Sequence, residues 1–232
     1  MIAAQSVAAQ PMAAEDSETA RRMMVDGQVT PTGVSDPLLI AAMRDVPRER
    51  FVPPALRHRA YADAPLPLAP GRAMLIPMVQ ARLIQALAPQ PGDRALVLAS
   101  GAGYAAAILA RMGLLVTGVE QEEGLLSLAR QGCDLALREN RPEFLPGDPS
   151  QGHAPGAPYR VILIEGAVAR IPRPVRDQMA EGGRLACLRV KEGRLCEALL
   201  LRRAGGGVGE TALFETQADP LPGFAPPRGF AF

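Results

Sequence analysis

Short apolar runs alternate with longer amphipathic segments in the chain after Gly92. The apolar runs predict five strands, and the segments between them, with apolar residues at helical spacing, predict three helices. The strands are expected at Ala95–Ala99, Leu114–Val119, Glu143–Leu145, Arg160–Ile164 and Arg184–Val190. The helices are expected at Tyr104–Met112, Glu122–Glu139 and Arg173–Ala180. This alternation predicts an α/β fold with a doubly wound, mainly parallel sheet that carries helices on both faces.

The pattern changes near the C-terminus, where turns separate the apolar runs. Lys191–Arg194 joins two runs as a hairpin turn, and the glycines of Gly205–Gly209 make a second break before Thr211–Thr216. Two antiparallel edge strands are therefore expected to finish the sheet. The segment Leu221–Pro227 is apolar but irregular, and we expect it to pack as a strap.

The first part of the chain lacks this alternation. Residues 1–15 hold mainly small and polar side chains that cannot bury a face, so a disordered leader is expected. A short helix is predicted within Glu18–Val25 and should stop at Gly27. Asp36-Pro37 is a typical cap and first-turn pair for a helix over Leu38–Asp45.

Prolines dominate the next stretch, residues 47–71. Because proline fixes φ and lacks an amide hydrogen, so many of them exclude a central strand or a long helix and predict an extended arm laid over the rest of the protein. Pro77 then begins a helix with apolar residues at helical spacing. The chain is thus expected to consist of the leader, an N-terminal helical and extended arm over residues 16–76, and a sheet domain over residues 77–232 that includes the strap.

Composition and charge argue against several kinds of partner. Lys and Arg number 25 against 24 Asp and Glu, so nothing electrostatic favours nucleic acid or an anionic membrane. No apolar run approaches the roughly 20 residues of a membrane helix. Cys133, Cys187 and Cys196 have no paired spacing, which argues against zinc, any other metal centre, and a disulfide framework. Since the N-terminus does not resemble a secretory signal, we expect a soluble cytoplasmic protein; the oligomeric state stays open.

A glycine loop in the sheet domain is the main candidate for a binding site. The first predicted strand ends at Ala99, and Ser100–Gly103 leads directly into Tyr104 and a helix. A strand that passes to a helix through glycines presents free backbone N–H groups and the positive helix end, which suits a nucleotide-like ligand. With only two glycines, the pattern is equally compatible with a simple tight turn.

Polar residues at the ends of the other predicted strands should meet at the same edge of the sheet. Glu120 stands about 20 residues after Gly101, where an acid accepts ribose hydroxyls, although it could instead belong to the acidic first turn of the next helix. Asp148 could accept from an adenine amino group or simply cap a turn. Glu165 follows the fourth strand. The convergence indicates an adenosine-bearing cofactor and leaves open whether it is a dinucleotide or S-adenosylmethionine.

Motifs in the arm bear on this choice. From about Met23 the sequence resembles the protein-L-isoaspartate O-methyltransferase family. The matching segments are Met24–Val29, Val46–Pro53, Ala60–Asp63, Leu66–Leu68, Gly103-Tyr104, Gly147-Asp148, Ile171-Pro172, Asp177–Met179 and Gly182–Leu185. The arm motifs are quite specific to that family, whereas the sheet motifs are shared by many methyltransferases.

The resemblance implies a class I S-adenosylmethionine-dependent methyltransferase fold and an isoaspartyl-containing protein or peptide as substrate. It implies that the glycine loop meets the methionine end of the cofactor, and that the arm covers the cofactor and shapes a substrate channel. The implied cofactor residues are Ala99, Ser100, Gly101, Gly103, Tyr104, Glu120 (ribose), Gln121, Gly147, Asp148 (adenine), Glu165 and Gly166. The implied substrate residues are Arg72, Met74 and Ile76.

The sequence departs from the family at positions that matter for activity. Leu75 stands where the family motif G-Q-T-I-S-x-P has its active-site serine, and Ala73 replaces the threonine. In the loop, Val97 and Ala99 replace an acid and a glycine, and Arg160 replaces an Asp before the fourth strand. Loss of the hydroxyl donor would cost about 1–3 kcal/mol. A positive φ at Ala99 would cost about 1–2 kcal/mol.

Three functions are compatible with these departures. The first is S-adenosylmethionine-dependent carboxyl O-methylation of the isoaspartyl repair type, which needs no general base because the acceptor carboxylate is ionised at neutral pH. The second is a catalytically weak or inactive paralogue that keeps the fold and the cofactor for a binding or regulatory role. The third is methylation of a different acceptor, with Met74 and Leu75 forming an apolar pocket wall.

Other candidate residues add little. No serine or cysteine partner is identifiable for His58 or His153, so a hydrolase triad is not supported. Arg48, Arg50 and Arg72 could hold a substrate carboxylate by bidentate bonds, or they could tie the arm to the sheet.

Overall fold

The computed structural model describes residues 14–224, as six α-helices, nine β-strands and several short 3₁₀ or π turns. The helices are α1 (Ala14–Met24), α2 (Pro37–Asp45), α3 (Pro77–Ala86), α4 (Tyr104–Arg111), α5 (Glu123–Ala136) and α6 (Arg173–Asp177). The strands are β1 (Leu66–Ala69), β2 (Arg72–Met74), β3 (Arg94–Leu98), β4 (Leu115–Glu120), β5 (Glu143–Pro146), β6 (Tyr159–Val168), β7 (Met179–Glu192), β8 (Leu195–Ala204) and β9 (Gly207–Gln217). Most of the expected leader, and the expected strap beyond Phe224, lie outside the described residues.

Seven strands form the main sheet, in the order β5-β4-β3-β6-β7-β8-β9. The neighbours from β5 to β7 pair in parallel, whereas β8 is antiparallel to both β7 and β9. The predicted α/β fold, with a doubly wound, mostly parallel sheet and antiparallel strands at its C-terminal edge, is confirmed. After β5 the chain returns to the other side of β3, so the topological switch point lies between β3 and β6. Ligands of such sheets bind at the carboxyl ends of the strands beside this point.

Successive residues of the central strands enter two hydrophobic clusters, because strand side chains alternate between the two faces of a sheet. In β3, Val97 belongs to the cluster that includes α3 and α4, whereas Leu96 and Leu98 belong to the other. The first cluster also contains Met24 and Phe51 from the arm. The arm and the sheet therefore share one hydrophobic core.

The capping signals of the first helices are partly confirmed. Asp36 Oδ1 accepts from the first two free amides of α2, at 2.9 and 3.1 Å, and Pro77 is the first residue of α3. The expectation that Gly27 stops the first helix is wrong. The chain passes through Gly27 in a π-helical turn, Val25–Val29, and the helical path ends only at Gly33, which has φ of 87°.

Strands β6 and β7 are longer than predicted, as is β9 (Gly207–Gln217 instead of Thr211–Thr216), and the extension of β6 changes the position of a candidate site residue. β6 runs through Glu165 and Gly166 to Val168, with an irregular register against β7, so the prediction that Glu165 follows the strand is wrong. β7 begins at Met179, before the position predicted from the apolar run. The sequence pattern missed these extensions because a strand that passes through glycine and acidic residues lacks the expected apolar signal.

The arm holds a small antiparallel hairpin, β1–β2, that the sequence did not predict. Its turn at Gly71 lies against Pro222, since a Cβ there would stand 3.2 Å from Pro222 Cγ. The segment Pro220–Phe224 in turn runs beside β6, where Leu221 N donates to Ala167 O at 2.8 Å. The hairpin, this segment and β6 thus enclose one side of the switch point.

No helix within residues 14–224 is long and apolar enough to cross a membrane. The same residues contain no group of three or more His, Cys, Asp or Glu side chains arranged to hold a metal ion.

Candidate active site

The glycine loop lies between β3 and α4 at the switch point, as the sequence indicated. Its backbone turns through positive φ at Ala99 (51°), Gly101 (54°) and Gly103 (84°). Gly103 caps α4 from this left-handed conformation, and its N–H donates to Ser100 O at 2.9 Å. The strained conformation expected for Ala99 is therefore present, at a cost of about 1–2 kcal/mol for a residue that carries a Cβ.

Packing as well as turn geometry requires a glycine at the start of α4. A Cβ on Gly103 would stand 2.8 Å from both Ala129 Cβ and Phe144 Cζ, closer than carbon atoms approach. A Cβ on Gly101 would meet nothing nearer than Leu68 Cδ1 at 3.5 Å. Gly103 is thus held by the core, whereas Gly101 lies against Leu68 and Arg72 of the hairpin.

Glu120 ends β4 with a fully buried side chain. Three backbone amides donate to its carboxylate, those of Gly101 at 2.8 Å, Gln121 at 2.9 Å and Glu122 at 3.1 Å. These hydrogen bonds replace the water that the buried carboxylate has lost. Glu120 therefore joins the glycine loop to the end of β4, at the position that the sequence assigned to a ribose-binding acid.

Arg72, from β2 of the hairpin, forms a bidentate ion pair with this same carboxylate. Its Nη1 and Nη2 donate to the two oxygens of Glu120 at 2.7 Å each, and Nη2 also donates to Ala99 O at 3.0 Å. Burial favours a lower pKa for Arg72, but the hydrogen bonds and charge of Glu120 outweigh it and raise the pKa. The sequence offered two roles for this arginine, and the contacts match the second, in which it ties the arm to the sheet. Its role as a substrate ligand stays a prediction that the ion pair opposes.

A second buried arginine, Arg48, connects separate parts of the arm to each other and to α3. Arg48 donates to Ala60 O at 2.9 Å, Gln80 Oε1 at 2.9 Å and Leu75 O at 2.6 Å. Its guanidinium also lies 4.8 Å from the ring centre of Tyr104, which is fully buried. Tyr104, expected to be a cofactor residue, therefore supports the contact between the arm and α4.

Glu165 lies in the irregular part of β6 and is buried. Gln80 Nε2 donates to its Oε1 at 2.7 Å, while Oε2 has no hydrogen-bond partner in the described part of the chain. Burial raises the pKa of Glu165 to about 8, against the opposing charges of Arg48 and Arg72. The group is therefore mainly protonated at neutral pH. Gln80 was not among the residues predicted for the site, since its only signal in the sequence is a polar side chain on the apolar face of α3.

Leu75 follows the hairpin and is nearly buried, with its side chain in the wall of a cavity of about 170 Å³. The wall also includes Arg194 and Asp219, which form an ion pair at 2.9 Å. The cavity is lined by Arg72, Met74, Leu75, Ile76, Val79 and Leu221, among other residues. The substrate residues Met74 and Ile76 are therefore brought together with Leu75, although no contact with a substrate tests their role.

The remaining candidates are less tightly organised. Asp148 is exposed and caps a turn by accepting from Ser150 N at 2.8 Å, the structural alternative that the sequence left open. Gln121 is exposed, and Gly147 N donates to Glu120 O at 3.1 Å, so the loops after β4 and β5 are adjacent. Ser100 Oγ is buried and finds no partner among the described residues.

The arrangement fits a nucleoside-bearing cofactor in most respects. The glycine loop, the buried acid at the end of β4 and the loop after β5 lie at one sheet edge, beside an adjoining cavity. One feature does not fit as it stands, because Arg72 occupies both oxygens of the acid that would bind the ribose.

Comparison with known proteins gives consistent results. Residues 21–208 match the family model for protein-L-isoaspartate(D-aspartate) O-methyltransferase. Protein-L-isoaspartate O-methyltransferase 1 of Rhodopseudomonas palustris is 41% identical over 165 residues, which are 71% of this chain and 67% of the relative. Protein-L-isoaspartate O-methyltransferase of Methanoregula boonei is 36% identical over 203 residues, which are 88% of this chain and 93% of the relative.

Solved structures agree on the fold. A protein-L-isoaspartate O-methyltransferase superposes with a TM-score of 0.75 and 24% identity, covering 90% of this chain and 67% of that one. A putative protein-L-isoaspartate O-methyltransferase from Plasmodium falciparum, in complex with S-adenosyl-L-homocysteine, superposes with a TM-score of 0.74 and 19% identity. The match covers 88% of this chain and 98% of that one. At these identities the likeness concerns the fold alone.

Proposed function

Because the chain belongs to the protein-L-isoaspartate(D-aspartate) O-methyltransferase family, we propose that it is an S-adenosyl-L-methionine-dependent carboxyl O-methyltransferase acting on isoaspartyl-containing proteins. The observation that carries this proposal is the junction of Glu120 with the amide of Gly101 at the switch point. It joins a buried acid at a strand end to a glycine loop, the combination that binds the ribose of a nucleoside in open α/β sheets. The cytoplasmic location expected from the sequence is part of the proposal, and the buried free thiols of Cys133, Cys187 and Cys196 support it.

In this proposal the cleft residues bind and orient the cofactor, which supplies an electrophilic methyl group. The loop Ala99–Gly103 faces the methionine end, Glu120 the ribose, and Asp148 the adenine. Gly147, Gln121, Glu165 and Gly166 complete the surroundings. A buried site of this kind contributes mainly by alignment of the reacting groups, which is worth several kcal/mol.

The acceptor carboxylate would enter beside Leu75, at the cavity between the hairpin and the Pro220–Phe224 segment. A carboxylate with an ordinary pKa near 4 is already ionised at neutral pH, so no residue has to remove a proton. The hairpin and the cavity wall instead exclude water and orient the acceptor. Leu75 offers no hydrogen bond to it, so the acceptor charge is less well stabilised than it would be beside a hydroxyl.

Methyl transfer to a peptide tests the proposal. The purified protein is incubated with radiolabelled S-adenosyl-L-methionine and either an isoaspartyl peptide or the matched aspartyl peptide. We expect a base-labile methyl ester on the isoaspartyl peptide only. If calorimetry detects cofactor binding but no ester forms, the proposal that the protein methylates this acceptor is wrong.

Leu75 and Ala99 favour a second candidate, a catalytically weak or inactive paralogue that binds the cofactor for another purpose. One position lacks the hydroxyl that would hold the acceptor, and the other has a strained backbone in the cofactor loop. Cofactor binding without transfer to any carboxylate would support this candidate. Transfer to an apolar acid in a screen of acceptors, but not to isoaspartate, would instead indicate a different acceptor in the 170 Å³ cavity.

A further inference from the structure

The acceptor positions of Glu120 are already filled by the protein itself. Oε1 accepts from Arg72 Nη1 and from the amides of Gln121 and Glu122, while Oε2 accepts from Arg72 Nη2 and from Gly101 N. An ionised carboxylate offers about four lone-pair sites. Five hydrogen bonds already exceed this number, so two ribose hydroxyls can donate to Glu120 only in place of two of the present donor groups.

Only one of the donors can move without rebuilding the site. The three amides belong to the turn of the glycine loop and to the chain that leads from β4 into α5, so their positions follow from the sheet and its packing. The guanidinium of Arg72 comes from the three-residue strand β2, and it reaches Glu120 across 48 residues of sequence through a long side chain. Displacement of Arg72 is the change that requires the least rearrangement.

We propose that Arg72 sets the affinity and the diol specificity of the nucleoside site, because it covers the ribose-binding oxygens of Glu120 and a cofactor binds by displacing its guanidinium. This inference rests on the proposed function, since it takes the ligand to be S-adenosyl-L-methionine or its demethylated product. It goes beyond that function because it gives Arg72 a role in cofactor binding, whereas the family resemblance implies a role in substrate binding.

The structure also provides a second partner for the displaced guanidinium. Glu122 Oε1 lies 3.8 Å from Arg72 Nη1, and about a third of the Glu122 side chain is exposed. A small rotation of Arg72 toward Glu122 keeps its charge paired at the edge of the cleft. The free-energy cost of separating Arg72 from Glu120 is then reduced, because the carboxylate of Glu122 takes the place of that of Glu120 beside the guanidinium.

The exchange makes binding depend on the ribose hydroxyls. Hydrogen bonds between charged groups are stronger than those from a neutral hydroxyl, so displacement of Arg72 lowers the net affinity. A ligand with both hydroxyls recovers part of this loss by donating to Glu120. A ligand without these hydroxyls makes no hydrogen bond to Glu120. The Arg72–Glu120 ion pair then stays closed when such a ligand binds.

Calorimetric titration with S-adenosyl-L-homocysteine tests the inference in the wild type, Arg72→Gln, Arg72→Lys and the exposed control Arg57→Gln. We expect Arg72→Gln to bind about ten- to hundredfold more tightly, because binding no longer breaks a charged pair. Arg57→Gln should match the wild type, and Arg72→Lys should lie between the wild type and Arg72→Gln. The gain should vanish with the 2′,3′-dideoxy analogue of the same ligand.

A thermal melt of the same variants separates this role from a purely structural one. Removal of Arg72 leaves the buried Glu120 without its charge partner, so Arg72→Gln should unfold at a lower temperature even though it binds more tightly. A residue that only shaped the cleft would lose stability and affinity together. Stability and affinity that change in opposite directions are therefore the expected signature.

Three outcomes would overturn the inference. If Arg72→Gln binds no more tightly than a wild type that does bind, the inference fails while the proposed function stands. If the gain persists with the dideoxy analogue, Arg72 does not act on the ribose position. If neither protein binds at millimolar ligand, the inference and the proposed cofactor fall together.

A second pair of variants serves if Arg72→Gln does not fold. Glu122→Gln removes the alternative partner but keeps the Arg72–Glu120 pair, so it should weaken binding of S-adenosyl-L-homocysteine by about two- to fivefold. Glu123→Gln removes an equal charge from the next residue, whose side chain is 74% exposed, and should leave the affinity unchanged. Equal affinities in these two variants would contradict the inference.

Discussion

The two walls of the candidate site are built by different means. The loop wall, residues 99–103 with Glu120, presents backbone amides whose positions follow from the sheet, from positive φ angles and from the close packing of Gly103. The hairpin wall, β1–β2 with Leu75 to Pro77, presents side chains. The loop wall keeps the geometry of a nucleoside site, whereas the hairpin wall has lost the serine of the family motif.

The difference shows which parts of each wall the fold itself requires. A change at Gly103 would disturb the core, so packing alone preserves that part of the loop. At Leu75 the structural bond is made by the carbonyl oxygen, which accepts from Arg48, and any side chain leaves that bond in place. A function carried by a side chain can therefore change on the hairpin wall without loss of the fold.

Arg48→Met should have the largest effect, because it removes the side chain that fastens the hairpin wall. Three acceptors, on Ala60, Leu75 and Gln80, would lose their buried donor, and Glu165 would lose a neighbouring positive charge. We expect the free energy of unfolding in urea to fall by about 3–5 kcal/mol. The exposed Arg57→Met is the control and should change it by less than about 0.5 kcal/mol. A loss below about 1 kcal/mol in Arg48→Met would show that the arm is held by apolar packing alone.

The buried acid between the walls predicts a pH dependence of stability. The pKa of Glu165 is raised from 4.5 to about 8, so between these values the folded state holds a proton that the unfolded state releases. The contribution of Glu165 to the free energy of unfolding is therefore greatest below pH 4.5. It falls as the pH rises from 4.5 toward 8, by at most about 1.4 kcal/mol per pH unit. Urea unfolding at several pH values checks the slope.

Glu165→Gln removes the group that titrates and should flatten the slope between about pH 5 and 8. The exposed Glu143→Gln should keep the slope of the wild type. If Glu165→Gln and the wild type lose stability in parallel, Glu165 is not the group responsible.

Leu75→Ser tests whether the hairpin wall has lost activity through one side chain. A hydroxyl at this position can donate to the acceptor carboxylate, so kcat/KM for an isoaspartyl peptide should rise about ten- to hundredfold. Leu75→Ala makes a similar cavity without the hydroxyl and should show no gain. Equal values of kcat/KM in the two variants would show that the missing hydroxyl does not limit the activity.

Ala99→Gly has the smallest expected effect and addresses the loop wall. Relief of the positive φ should stabilise the protein by about 1 kcal/mol and tighten S-adenosyl-L-homocysteine binding by up to about fivefold. Ala88 provides a matched control, since its φ is 43° and it lies outside the site. Ala88→Gly should stabilise the protein similarly without a change in ligand affinity. A change in affinity in both variants would indicate a general effect of flexibility.

Much of the loop wall could be predicted from the sequence because its signals are local. The strand, the two glycines and the helix are contiguous, and Glu120 ends the next apolar run. The same is true of the cap at Asp36 and of the hairpin turn before β8. Glu165 shows the limit, since an irregular β6 continues through it and brings it against Gln80, 85 residues away in the sequence.

The sequence by itself determined the alternating elements, the parallel sheet with its antiparallel edge, and the family, because apolar periodicity and short motifs are local properties. Only the tertiary structure decided which charges meet. The sequence marks Arg72 and Glu120 as candidate site residues with separate roles, and their pairing depends on how the hairpin packs on the glycine loop. Burial then strengthens that pairing, since few water molecules compete for either group, and so an arginine of the arm comes to control the acid of the sheet.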